Sequence, residues 1–163
     1  MVTTRVNFSP HIVEYCIGKW GTDFHEPVKF PDNSELYFTV YDLLQKRPAD
    51  HQTDVGNLEI VLPSRRYDDE LGFRKNPEVY NYLSERSCRI ISKKIERYFW
   101  AELHDTLDYE KHTNGIDYIE TIHYFMCKYR IESISEDALI KNYYRWRDQV
   151  RKKAKRAYRR KNC

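Results

Sequence analysis

All six prolines, at positions 10, 27, 31, 48, 63 and 77, lie in the first 77 residues, and only Gly115 of the five glycines follows Gly72. Proline removes a backbone donor and glycine loosens the chain, so both interrupt regular structure. Their near absence from the second half permits long helices there, whereas the first half must be built of short pieces. This distribution predicts an α+β chain: a small mixed α/β unit over 1–62, a charged loop over 63–77, and a C-terminal bundle of three helices over 78–163 ending in a basic helix.

In the first half, residues 5–8 read as a short strand, and Ser9-Pro10 as the N-cap and first position of a helix over His11 to Trp20. Val28 to Phe30 reads as a strand fragment ending at Pro31. Ser34 caps a predicted helix reaching Lys46, with Leu36, Val40, Leu43 and Leu44 on one side, and Asn57 to Leu62 is the strongest strand signal. In the second half, Leu83, Ser87, Ile91, Ile95, Tyr98, Phe99 and Leu103 recur at helical spacing, predicting a helix from Glu78 to about Leu107. Asn114-Gly115 breaks the chain. Asp117 with Glu120 has capping-box spacing before an apolar face of Ile119, Ile122, Met126 and Tyr129, and Ser133 with Glu136 repeats that signal. The last helix carries a seam of Leu139, Tyr143, Trp146, Val150, Ala154 and Ala157.

A chain of 163 residues is long enough to bury a core without disulfides or metals. No run approaches the roughly 20 apolar residues of a membrane span, and Met1 to Phe8 lacks the features of a secretion signal, so a cytoplasmic location is expected. The five glycines allow neither GxGxxG nor GxxxxGK[ST], which excludes the common phosphate-cradling loops. Cys16, Cys88, Cys127 and Cys163 show no CxxC pairing, and the first three have apolar neighbours, so free core thiols are expected rather than a zinc site. The densest ionisable stretch, Glu102, His104, Asp105, Asp108, Glu110 and His112, reads as a solvated helix face, and Asp23, His25 and Glu26 as a turn. No catalytic set, metal site or cofactor is expected, and the chain reads as a non-enzyme.

The charge distribution carries the functional signal. Residues 145–163 hold ten Lys and Arg with Asp148 as the sole acid, a local charge of +9, while residues 1–144 sum to −6. On a helical projection Lys141, Arg151, Lys152, Lys155 and Arg159 fall opposite the apolar seam, with Tyr144 among them. Lys153 and Arg160 project near the seam, so packing should weaken past about Arg151. The set Lys141, Tyr144, Arg151, Lys152, Lys155, Arg156 and Arg159 is therefore expected to contact the phosphates of a nucleic acid, DNA in particular. The alternative partners are a second copy of the chain or an acidic protein. A membrane is not expected, because the seam narrows to alanines. Trp100 and Tyr144 lie off the apolar seams and are the candidates for stacking on bases, whereas Tyr98, Tyr143 and Trp146 read as core. The last two helices read as an αα-hairpin; read instead as a helix-turn-helix, they would turn Asp137, Lys141 and Asn142 toward base edges. Ser64, Arg65, Arg66, Arg74 and Lys75 bracket Asp68, Asp69 and Glu70 in the charged loop, where the charges nearly cancel.

The segments NPEVYNYLSERS (76–87), FWAELHDTLD (99–108) and GIDYIETIHYFMCKYRIESISEDALIKNYYRWR (115–147) resemble small uncharacterised bacterial proteins associated with phage-like or other mobile elements. That resemblance implies a role in DNA transactions or, as the alternative, a non-catalytic structural or protein-interaction module of such an assembly. It implies no site residues.

Overall fold

The computed structural model describes residues 1–32, 34–50, 55–64 and 75–161, the side chains of 159–161 excepted. The charges at 65–74, and the side chain of Arg159, lie outside the described residues. Within them the fold is α+β, with strand β1 (Thr3–Val6), helices α1 (Pro10–Trp20) and α2 (Glu35–Leu43), strand β2 (Leu58–Val61), and helices α3 (Glu85–Tyr109), α4 (Tyr118–Tyr129) and α5 (Glu136–Lys161). A single π-helical turn, Glu110–Asn114, extends α3 and ends at Gly115, whose φ of 69° is left-handed.

β1 and β2 pair antiparallel, with Thr3 opposite Val61 and Val6 opposite Leu58. Alternation along the strands buries Thr4, Val6, Leu58 and Ile60 on one face. The expected strand fragment at 28–30 is a one-residue parallel bridge: the Val28 amide donates to the Glu59 carbonyl (2.9 Å), and the Val61 amide donates to the Val28 carbonyl (2.8 Å). The expected turn at Asp23, His25 and Glu26 is tight, with Asp23 and Phe24 at positive φ, and Glu26 Oε1 accepts from the Glu59 amide (3.2 Å).

Several predicted helix boundaries shift, each for a local reason. α2 stops at Leu43; beyond it Gln45 pairs with Tyr82, and the Lys75 ammonium donates to the carbonyls of Tyr41, Asp42 and Leu44 at 2.8 to 3.0 Å. A cation there satisfies carbonyls that the helix end leaves unpaired. α3 begins at Glu85 rather than Glu78, because Asn76 closes a turn on the Glu78 amide (3.0 Å) and Ser84 caps the helix through the Ser87 amide (3.2 Å). Neither capping box forms. Asp117 pairs instead with Lys111 (3.5 Å), and Ser135 caps α5 through the Ala138 amide (3.2 Å). Ser133 is diverted to Glu14, whose carboxylate accepts from the Glu132 amide, the Ser133 amide and the Ser133 hydroxyl at 2.8 to 3.1 Å.

The three C-terminal helices do not stand as a bundle of their own. α1 packs against both α3 and α4, α2 packs on α3, and a single core joins Ile12, Tyr15, Val40, Ile60, Ile95, Phe99, Phe125 and Tyr143. Tyr15 lies at its centre, with its ring edge-on to Phe99 (5.2 Å between centroids) and to Tyr129 (5.1 Å). The α1–α4 crossing is close: a Cβ on Gly18 would lie 2.6 Å from the Tyr129 carbonyl oxygen. Of the cysteines expected in the core, Cys16 is buried, but Cys88 is partly exposed and Cys127 is exposed, because it faces away from the apolar side of α4.

Candidate nucleic-acid interface

α5 divides in two along its length. Leu139 and Tyr143 are fully buried and Trp146 is partly so, but Val150 is 45% exposed, and every residue from Asp148 to Tyr158 is exposed. The apolar seam continues past Trp146 in sequence, yet among the described residues no other element covers it there. At 1.5 Å per residue, residues 148–161 carry the helix about 21 Å beyond its last packed turn.

The root of this extension is fastened by polar and aromatic contacts. His104 Nε2 lies 2.9 Å from Asn142 Oδ1, and the His104 ring stacks on Trp146 at 4.5 Å. Tyr143 donates its hydroxyl to Asp108, and Arg147 donates to the Tyr118 hydroxyl (3.1 Å). Burial holds the His104 imidazole below its ordinary value of 6.5, despite the Asn142 hydrogen bond and the nearby Asp105 and Asp108, so the ring is neutral at pH 7.

These contacts sort the expected site residues. Arg151, Lys152, Lys155 and Arg156 are exposed on the free turns and form no ion pair among the described residues; Lys153 shares that position. Lys141 is exposed on the packed half but paired with Asp137 on the preceding turn. Tyr144 is 46% exposed, with its ring edge-on to Tyr118. Of the three residues that the helix-turn-helix alternative would turn toward bases, Asp137 and Lys141 are exposed, whereas Asn142 is half-buried with its side chain on His104. Trp100 is not free for stacking either, since it packs against Phe99 (4.9 Å) and His11 (6.5 Å).

The 102–112 stretch corrects the expectation of a solvated face. Glu102, His104 and Asp108 turn inward, and each takes a partner from another helix. The Glu102 carboxylate accepts from the hydroxyls of Tyr15 (2.6 Å) and Tyr129 and from the Lys19 ammonium, with Lys128 at 3.6 Å. His112 is exposed at the far end of the π turn. Among the described residues no three His, Cys, Asp or Glu side chains converge as a ligand set. Sequence reasoning missed these contacts because the partners lie on α1, α4 and α5, outside any local window.

The chain matches no protein-family model, and no curated protein or solved structure is detectably similar to it. Among the described residues no helix is long and apolar enough to cross a membrane.

Because residues 148–158 are all exposed, a chain ended after Arg147 is expected to keep its stability, with a change within about 0.5 kcal/mol, as for surface positions generally. Thermal unfolding of the two lengths checks this. A drop of several degrees would mean that the distal turns pack somewhere.

Proposed function

We propose that this protein is a non-catalytic nucleic-acid-binding protein that contacts DNA phosphates through the free distal turns of α5. One observation carries the reading: Arg151, Lys152, Lys153, Lys155 and Arg156 stand on a helical stretch that is exposed throughout and contributes nothing to the core. Capping the helix dipole requires one or two cations in the last turn, not ten across 19 residues. Such a stretch neutralises phosphates and releases their counterions, which gives affinity without base selection. The −6 charge of residues 1–144 repels a polyanion, so contact is confined to the tail. The resemblance of 76–87, 99–108 and 115–147 to proteins of mobile elements agrees with a role in DNA transactions.

Fluorescence anisotropy on generic DNA across a salt series tests the reading. Four or five phosphate contacts imply a slope of log K against log salt of roughly −4. Changing Arg151, Lys152, Lys155, Arg156 and Arg159 to Gln should flatten it. Absence of binding at low salt, or equal binding by the variant, would overturn the proposal. The opposite charges of body and tail favour one second reading, an interaction module whose basic helix docks on an acidic protein.

A further inference from the structure

We propose that the distal turns of α5 lie in the major groove of duplex DNA, with Val150, Ala154 and Ala157 toward the groove floor and cations against the phosphates on both walls. The inference rests on the nucleic-acid reading above and names the form of nucleic acid that the helix fits.

At about 100° per residue, Val150, Ala154, Ala157 and Tyr158 share one arc of roughly 100°. Lys153 and Arg156 flank that arc on one side, Arg151 and Lys155 flank it on the other, and Lys152 lies behind. Had α5 stayed packed to its end, the arc would be buried and Lys153 would be forced to snorkel around it. The structure leaves the arc open instead, with Val150 at 45% and Tyr158 at 71% exposure, so both cationic flanks are accessible together.

Over residues 150–158 a neutral strip lies between two positive flanks, which complements a trough with negative walls. The B-form major groove, about 12 Å wide, accepts a helix about 10–12 Å across, and the minor groove, about 6 Å wide, does not. Alanine at 154 and 157 lets the backbone approach the floor, where Ala and Val match the thymine methyl group. The major groove of A-form RNA is too deep and narrow for side chains to read. A single strand offers one line of phosphates rather than two. An acidic helix or an anionic membrane presents its charge from one side, which would leave one flank unmatched. Charge complementarity therefore favours duplex DNA over these occupants.

The test uses the full chain and three fluorescein-labelled probes: a duplex DNA, an RNA duplex of the same sequence, and one DNA strand. Duplex DNA should bind about tenfold or more tightly than either other probe, and methyl green, a major-groove ligand, should compete where netropsin, a minor-groove ligand, does not. The double variant Ala154→Leu with Ala157→Leu keeps charge and helix propensity and changes only exposed positions, so its unfolding midpoint should match wild type. Its affinity for duplex DNA should fall about tenfold while its affinity for the single strand is unchanged. Equal binding of the RNA duplex or the single strand, displacement by netropsin, or wild-type affinity in the double variant would each overturn groove insertion and leave phosphate binding standing. Failure to bind any of the three probes would overturn both, whether or not a second copy or an acidic protein occupies the helix.

Discussion

The Glu102→Ala protein is expected to unfold about 6–12 °C below wild type at pH 7, from a loss of about 3 kcal/mol in a chain of this size. Glu102 is the common acceptor for two hydroxyls and an ammonium contributed by two other helices, α1 and α4, and its side chain is 23% exposed. Tyr15 is fully buried, so its hydroxyl loses its acceptor when the carboxylate goes, and the pair of ammonium groups from Lys19 and Lys128 loses its counter-charge. The figure sits at the low end for a broken ion pair because Lys19 and Lys128 still reach water. Glu102→Gln keeps one acceptor oxygen and should recover part of the loss. The effect has a defined pH dependence. Burial pushes the Glu102 carboxyl up, but the hydrogen bonds from Lys19, Tyr129 and Tyr15 together outweigh it and hold the group below its ordinary value of 4.5. A carboxyl depressed in the folded state stabilises fully above its unfolded value, and that contribution is lost as pH falls through the folded value. The midpoints of wild type and Glu102→Ala should therefore converge as pH drops below 4.5. A gap at pH 3 as wide as at pH 7 would show that the charge of Glu102 is irrelevant to the network.

The second large effect is at Gly18. Alanine is a better helix former than glycine by about 1 kcal/mol, so propensity alone makes Gly18→Ala stabilising. The structure reverses that expectation: the new methyl would sit 2.6 Å from the Tyr129 carbonyl oxygen and 2.8 Å from its Cα, and both are backbone atoms of a packed helix. Prising α1 from α4 also disturbs the Tyr15, Phe99 and Tyr129 ring cluster, and the expected loss is about 3 kcal/mol, at the upper end for overpacking. Gly115→Ala is the contrast. There φ is 69° and nothing lies within 4 Å, so only the left-handed strain counts, about 1–2 kcal/mol. Urea unfolding of the two variants measures both. A Gly18→Ala protein as stable as wild type would mean that the helices do not cross this closely.

Much of the architecture was legible locally. The confinement of proline and most glycine to the first 77 residues, Ser9-Pro10 before α1, Ser34 before α2 and Asn114-Gly115 after α3 are short-range signals. They act through backbone dihedrals and unpaired amides a few residues away. Where a local signal failed, a tertiary contact had taken its residue. Ser133 has the capping-box spacing for α5, but Glu14, 119 residues distant, binds it, and Ser135 caps the helix instead.

The candidate site shows the same division. The ten cations of residues 145–163 and the spacing of the α5 seam are properties of the sequence alone, and they already placed positive charge on a helix. Periodicity states which face of a helix can be buried. Burial requires a neighbour, and among the described residues α3 and α4 supply one only as far as Trp146, so Val150, Ala154 and Ala157 repeat the pattern and stay exposed. The inward turn of Glu102 was likewise decided in three dimensions, since Tyr15 and Lys19 reach it from 87 and 83 residues away. Secondary structure and charge are written in short windows because propensities and dipoles act over a few residues. Which surfaces remain free to bind depends on distant elements meeting, and only the folded chain determines that.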